Sequence, residues 1–333
     1  MIQQELEDRF KGARVFITGG LGFIGSNLAL RLADLGAVVT LADSLPPDLG
    51  GDPFNIAGYE NRLRVHSTDL RDEAGIADLI RDQEFIFNLA GQVSHVQSML
   101  SPATDADVNV RGQLMFLEAC RRFNPGAKIV LSSTRQVYGT PCYLPVNENH
   151  PLNPIDINAV NKLAGEWYHI LYGRIYGLQP VILRMANVYG MRMRVKDNRK
   201  TFVGWWIRQL LDGEAITIYG DGRQVRDLLY VDDAVHALLL AALCPGPGGR
   251  IFNVGGNEPI RLVELAQLMI DLNGGGRYQT VPFPPERKRI EIGDYYTDST
   301  KIRRELGWQP AVRLRDGLAR TLDFYRKNRE HYR

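Results

Sequence analysis

Three glycines carry the most specific chemistry in this sequence. Gly19, Gly22 and Gly25 follow the apolar run Arg14-Val-Phe-Ile-Thr18 and stand at the mouth of an amphipathic stretch that starts at Phe23. That order suits a dinucleotide. Gly19 permits a tight turn, Gly22 lets the backbone approach a pyrophosphate, and Gly25 allows a helix to pack closely on its strand. The helix start, with Phe23 and Ile24, lends the partial positive charge of its N-terminus to a phosphate. Asp43 ends the next apolar run, a little under ~20 residues on, where an adenosine ribose is expected. A carboxylate there accepts hydrogen bonds from a 2′-hydroxyl and repels a 2′-phosphate, so the predicted cofactor is NAD in preference to NADP. Asp69 and Leu70, after the third apolar run, are candidates for the adenine.

Other reactive side chains are dispersed. Cys120, Cys142 and Cys244 stand far apart and odd in number, so neither a disulfide framework nor a Cys-x-x-Cys metal pair is expected. The six histidines form no His-x-x-x-His pair, and a structural zinc site is not predicted.

The elements that must hold these residues alternate regularly in the first half. Strands are predicted at Arg14–Thr18, Val38–Ala42, Leu63–Ser67, Phe85–Asn88, Lys128–Ser132 and Val181–Arg184. Helices are predicted at Phe23–Leu35, Val108–Arg122 and Val160–Tyr176. Such alternation implies right-handed crossovers and a parallel sheet covered on both faces: a doubly wound α/β fold of the Rossmann type. After about Asn187 the rhythm loosens. A basic loop (Arg192, Arg194, Lys196, Arg199, Lys200) leads to a helix at Phe202–Leu211 and a strand at Ala215–Tyr219. Helices follow at Asp232–Leu243, Leu262–Leu272 and Arg315–Asn328, with a Pro- and Gly-rich joint at Pro245–Gly249. The expected division is a dinucleotide-binding domain over 1–186 and a smaller C-terminal α/β cap over 187–333, some segments of which return to the first domain.

With the dinucleotide site placed, further segments resemble the extended short-chain dehydrogenase/reductase family, and within it the NAD-dependent nucleotide-sugar epimerases and dehydratases of the UDP-glucose 4-epimerase kind. They are Thr18-Gly-Gly-Leu-Gly-Phe-Ile-Gly25, Asn88-Leu-Ala-Gly91, Asp107-Val-Asn-Val-Arg-Gly112 and Leu131-Ser-Ser-Thr-Arg-Gln-Val-Tyr-Gly139. Arg184-Met-Ala-Asn-Val-Tyr-Gly190, Gly220-Asp-Gly-Arg-Gln-Val-Arg-Asp227, Tyr230-Val-Asp-Asp233 and Glu305-Leu-Gly-Trp308 continue the match. The resemblance runs through almost the whole chain in the right order.

It implies roles residue by residue. Leu89, Ala90 and Asn109 would border the cofactor. Thr134 stands in the position of the catalytic hydroxyl, and Lys162 in that of the lysine that holds the nicotinamide ribose. In the family a tyrosine four residues before the lysine takes the proton of a sugar hydroxyl. This chain has Asn158 there, in Asn158-Ala-Val-Asn-Lys162. An amide donates and accepts hydrogen bonds but takes up no proton near neutral pH, and losing a general base typically costs ~10²–10⁴ in rate. Asn158 could orient a substrate oxygen or cap its helix. His95, as a histidine the residue type most used for proton transfer, is one candidate replacement, beside Tyr143, Cys142 and a desolvated Lys162. Loss of turnover is another outcome of the exchange.

The second half would hold a nucleoside-diphosphate sugar, a UDP-sugar by preference. Asn187 and Arg226 are matched to the diphosphate, Tyr219 to the nucleoside, and Lys288 (within Arg287–Arg289) to a further phosphate contact. Arg is suited to bidentate phosphate binding. Dehydratases of the family usually carry an Asp-Glu pair after the threonine, and decarboxylases a Glu. Arg135 and Gln136 are neither, which leaves epimerisation at C4 through a transient 4-keto sugar. The alternatives are a catalytically silent NAD- and nucleotide-binding protein, or a dehydratase or oxidoreductase with a different base.

Totals exclude other classes. Lys+Arg of 40 against Asp+Glu of 38 gives 40 − 38 = +2, which is no footprint for general nucleic-acid binding. The longest apolar run, Ala237–Cys244, is too short to span a bilayer. The polar, acidic start MIQQELEDRF does not resemble a signal peptide. A cytoplasmic protein is expected. Apolar stripes around Val108–Arg122 and Val160–Tyr176 match helices that pair across a two-fold axis in the family, which implies a homodimer.

Overall fold

The computed structural model describes residues 2–44, 51–198, 200–246 and 248–332. Arg199 of the basic loop and Pro247 of the Pro/Gly joint lie outside them. The chain begins with α1 (Ile2–Phe10), then β1 (Arg14–Thr18), α2 (Phe23–Asp34), β2 (Val38–Asp43), β3 (Leu63–Ser67) and α3 (Glu73–Ile80). Next come β4 (Phe85–Asn88), α4 (His95–Leu100), α5 (Pro102–Ala106), a π-turn over Asp107–Arg111, α6 (Gly112–Phe123), β5 (Lys128–Thr134), α7 (Ile157–Tyr176) and β6 (Gln179–Met185). The second half holds β7 (Asn187–Tyr189), α8 (Phe202–Leu211), β8 (Ile216–Tyr219), β9 (Val225–Arg226), β10 (Leu228–Tyr230) and α9 (Val231–Ala242). It continues with β11 (Arg250–Val254), β12 (Ile260–Arg261), α10 (Leu262–Asn273), β13 (Tyr278–Val281), α11 (Pro285–Lys288), α12 (Thr300–Leu306), α13 (Leu314–Lys327) and α14 (Arg329–Tyr332).

Seven parallel strands form the main sheet in the order β11-β6-β5-β4-β1-β2-β3. The order reverses between β1 and β4, and ligands of open parallel sheets bind at such a point, beyond the carboxyl ends of the strands. Buried apolar residues from α2, α9 and α1 cover one face (Leu28, Leu32, Leu238, Phe10). The other is covered from α3, α6 and the end of α7 (Ile76, Phe116, Leu117, Tyr172). This is the Rossmann-like sheet expected from strand and helix alternation.

Three differences from the sequence reading have plain causes. Helix α1 was not foreseen, because among its described side chains only Leu6 and Phe10, one turn apart, fasten a polar sequence to the core. Strand β11, absent from the predicted strands, lies far along the chain yet completes the sheet beside β6. Helix α7 starts at Ile157 and not at Val160, because Asp156 caps it: its carboxylate accepts the Ala159 N–H at 2.8 Å. The capping role considered for Asn158 is therefore filled by Asp156.

The cap has a core of its own, in which Trp206, Ile207 and Leu210 of α8 meet Leu265 and Met269 of α10 and Leu318, Leu322 and Tyr325 of α13. No helix among the described residues is long and apolar enough to cross a membrane.

Candidate active site

The tip of β1 is pinned to the tip of β4. Thr18 Oγ1 donates to Asn88 Oδ1 (3.0 Å) and accepts the N–H groups of Leu89 and Ala90 (both 3.1 Å). Gly19 turns at φ +68°, a left-handed conformation that favours glycine, and its N–H reaches Ala42 O at 2.8 Å. A Cβ on Gly25 would collide with the carbonyl oxygen of Gly19, so the helix can approach the turn this closely only as glycine. Gly22 caps α2 without a side-chain oxygen, and the half-buried Phe23 and Ile24 open the helix. Asp43 is 7% exposed, and its carboxylate accepts the Leu21 N–H (3.1 Å) and the Gly51 N–H (3.3 Å). It ties the glycine turn to the end of β2. Asp69 is engaged by Arg71, which also bridges to Asp107. These contacts hold Asp69 below the usual carboxylate range, with the Arg71 hydrogen bond as the main cause. Leu70 beside it is buried.

Beside this loop, β5 ends at Thr134, two residues later than predicted. Thr134 Oγ1 accepts the Gln136 N–H at 3.2 Å and so caps the short turn Arg135–Tyr138. Lys162 lies on α7 across from Gly91: a Cβ added to that glycine would be 2.6 Å from Lys162 Nζ and 2.7 Å from Asn109 Oδ1. Burial pushes the Lys162 ammonium below its ordinary pKa, while the carboxylates of Asp105 and Glu166 oppose the shift. Behind them, the buried Arg184 guanidinium holds Glu166, which also accepts from Ser133, and donates to Tyr138 at 2.9 Å. His169 is kept neutral, its pKa pushed down by burial to about 4.

Asn158 is 2% exposed, and both donors of its amide nitrogen are engaged. Nδ2 donates to the Gln92 carbonyl (2.8 Å) and to Asp105 Oδ2 (3.0 Å). The same Asp105, 1% exposed, accepts from Asn109 Nδ2 (3.0 Å) and Asn161 Nδ2 (2.8 Å) through Oδ1. Three amides thus satisfy one buried carboxylate, and Asn158 belongs to that network.

On the cap side, Arg135 is buried and donates to Gln136 Oε1 (3.2 Å) and Asn187 Oδ1 (3.1 Å), with Tyr295 beneath its guanidinium at 4.8 Å. Burial and the neighbouring Arg226 charge lower its pKa to about 10. Arg226 itself pairs with Glu291. Tyr219 is half-buried against Phe283, with the Arg287 guanidinium 5.3 Å over its ring, and Lys288 is exposed. Cys142 and Tyr143 fold into their own loop, where the Cys142 N–H meets His150 Nε2 and the Tyr143 hydroxyl donates to Asn147.

The model of the NAD dependent epimerase/dehydratase family matches residues 15–255. The chain belongs to that family. The UDP-glucose 4-epimerase of Mycolicibacterium smegmatis is 36% identical over 320 residues, which cover 94% of this chain and 98% of that one. A crystal structure of the Thermotoga maritima UDP-glucose 4-epimerase with UDP-glucose has a TM-score of 0.85 and 32% identity, covering 95% of this chain and 99% of the other. A dTDP-glucose 4,6-dehydratase from Streptomyces venezuelae with NAD bound gives 0.86 and 31%, covering 95% and 98%.

NAD is the cofactor of this epimerase/dehydratase family member, and its residues fit it. The glycine turn leaves no room for side chains where the backbone must be bare. Asn109 Oδ1, buried beside Lys162, has no hydrogen-bond partner among the described residues. It is open to a donor such as a ribose hydroxyl. Among the described residues no cluster of His, Cys, Asp or Glu could hold a metal ion.

Three residues of the site escaped the sequence reading. Asp105 carries no motif, although its i,i+4 spacing to Asn109 was visible. Asp156 had the signature of a helix cap directly before the apolar periodicity of α7. Arg135 was read only for the carboxylate it replaces, whereas it is buried beside Arg226 and reaches Asn187.

Proposed function

We propose that the chain is an NAD-dependent epimerase that inverts C4 of a nucleoside-diphosphate sugar, a UDP-sugar by preference, through a transient 4-keto sugar. What supports this reading is the sequence pattern of Thr134 and Lys162 in the family's hydroxyl and lysine positions, with Lys162 beside Gly91 at the tip of β4 and with Arg135 and Gln136 in place of acidic residues. Without a carboxylate next to Thr134, nothing there can protonate a leaving hydroxyl, so dehydration is disfavoured. The names of the 36%- and 32%-identical relatives favour the same sugar chemistry.

When bound, NAD supplies a reversible acceptor for the hydride of the sugar carbon. In this reading Lys162, Asn109, Leu89 and Ala90 hold it on the ribose–nicotinamide side. Gly19, Gly22, Phe23, Ile24 and Gly25 receive its pyrophosphate; Asp43, Asp69 and Leu70 border the adenosine. Thr134 holds the sugar oxygen that is oxidised. Asn187 and Arg226, joined by Arg135, face the diphosphate, while Tyr219 and Lys288 border the nucleoside. Residues 1–186 then form the cofactor domain and 187–333 mainly the cap.

Two copies would pair through α7, where Val160, Trp167, Leu171 and Ile175 are exposed in a stripe.

The deciding experiment incubates the NAD-loaded protein with UDP-, GDP-, CDP- and dTDP-sugars and separates the products by chromatography with mass detection. An isomer of unchanged mass, without net NADH absorbance, is expected. Loss of 18 Da, water by mass, would make the enzyme a dehydratase. Net NADH would make it an oxidoreductase. Tight binding of NAD and nucleotide without any product would support the silent-binder reading that the engaged amide of Asn158 motivates.

A further inference from the structure

The exchange of tyrosine for Asn158 removes a base from the site, and the amide cannot be redirected at little cost, because Gln92 and Asp105 both hold it. A titratable imidazole starts the next helix. His95 is the first residue of α4, in the segment that leaves the carboxyl end of β4 after the Asn88–Gly91 tip. Its side chain is 28% exposed, and its Nδ1 lies 3.0 Å from Asp156 Oδ2, whose side chain is wholly buried. Neither atom has a hydrogen-bond partner among the described residues, so the two face each other as an ion-pair contact with no competing partner.

Three features make this contact more than a chance meeting at a helix start. Asp156 cannot swing away, because its other oxygen caps α7 through the Ala159 N–H. Burial alone would raise its pKa, yet the His95 contact and the first backbone N–H groups of α7 bring it below the ordinary value, so it is a carboxylate at neutral pH. Helix α4 is also fastened to α7 at this end. Ser98 Oγ, one turn after His95, accepts the Asn158 backbone N–H at 3.1 Å and donates to the His95 carbonyl at 2.7 Å. The helix that carries the ring is thereby fastened to the start of α7 at Asn158. With Nδ1–H assigned towards Asp156, Nε2 is the acceptor and faces away from it.

We propose that His95, oriented by Asp156, performs the proton transfer that Asn158 cannot. The inference rests on the epimerase reading above. In the forward step the sugar C4 hydroxyl O–H bond breaks and its proton bonds to His95 Nε2. The C4–H electron pair leaves as hydride to the oxidised pyridine nucleotide, and the C4–O bond becomes a carbonyl. The reverse step returns hydride to the other face and the proton from His95 to oxygen. His95 is a catalytic residue in this scheme and Asp156 a positioning residue, the arrangement by which a carboxylate fixes the tautomer of a basic imidazole.

The test uses the full, NAD-loaded chain and whichever sugar the unaltered protein isomerises. His95→Ala should lose about 10²–10⁴ in kcat with KM changed only a few-fold. Its NAD content and melting temperature should hold, and added imidazole should restore part of the rate. Asp156→Asn separates the two roles of Asp156, because Asn caps a helix about as well as Asp while turning an NH2 towards Nδ1 and favouring the wrong tautomer. A kcat loss of at least about tenfold with an unchanged melting temperature is expected there too. If the unaltered protein isomerises a sugar and His95→Ala keeps its kcat within about threefold, or loses only in KM, the dyad is wrong and the epimerase reading survives. If the unaltered protein binds NAD and UDP but yields no isomer from any sugar, the epimerase reading falls and takes the dyad's role with it.

Discussion

At the scale of single residues, Asn158 is the informative departure. A tyrosine there would need room that a 2%-exposed, twice-bonded amide does not leave, so Asn158→Tyr should bring overpacking of about 1–3 kcal/mol and no large gain in activity. The smaller change is cleaner. Asn158→Ala removes one donor from the Gln92 carbonyl and one from Asp105, leaving a buried carboxylate with two amides in place of three. The expected cost is about 1–3 kcal/mol of unfolding free energy, read from urea denaturation. An unchanged midpoint would mean that water replaces the amide and that the network is looser than its geometry implies. That an amide, and not a base, stands four residues before Lys162 was legible in the sequence. That Asp105 had claimed the replacement was not, because the carboxylate and the amide meet only through the packing of α5 on α7.

Among the elements, those built on continuous apolar runs were the readable ones. Strands β1 and β4 have the bounds that their hydrophobicity dictates, and the glycine turn followed from them. Strand β11 was not readable, since Arg250-Ile-Phe-Asn-Val254 follows a Pro/Gly joint in the half that looked like a cap, and only pairing with β6 makes it part of the sheet. The His95–Asp156 contact was hidden for the same reason: its partners come from α4 and the cap of α7, far apart in sequence. Helix α7 also carries the prediction that belongs to this scale. Trp167, Leu171 and Ile175 are 52%, 47% and 62% exposed, although each is large and apolar. Such a stripe marks a covered surface more often than a solvated one. Trp167→Glu with Leu171→Glu should therefore convert a dimer to a monomer, measured by light scattering, with little change in the fold of each subunit. A wild-type chain that is monomeric at micromolar concentration would remove α7 as an interface.

For the whole molecule, the seam between sheet and cap holds a charge that should make stability depend on pH. Asp227 lies between β9 and β10, fully buried, with Oδ2 accepting the Thr297 N–H at 3.1 Å and Oδ1 without a hydrogen-bond partner among the described residues. Gly255, just past β11, passes so close that a Cβ there would strike the Asp227 carboxylate. Burial raises its pKa to about 6, and the Thr297 contacts and the Arg135 charge recover only part of the ionised form's loss. A carboxyl group whose folded pKa is raised binds its proton more tightly in the native state. Its contribution is full below the unfolded value near 4 and is lost as pH rises through about 6. Asp227→Asn keeps an acceptor for the Thr297 N–H but does not titrate. The stability of the wild type relative to this variant should therefore fall between about pH 4 and pH 6.5 and level off above, by as much as about 3 kcal/mol. Urea unfolding of both proteins at several pH values isolates the effect, because the other titrating groups cancel in the difference. A flat difference across that range would show that Asp227 ionises in the folded protein as it does in water, with solvent reaching the seam between sheet and cap.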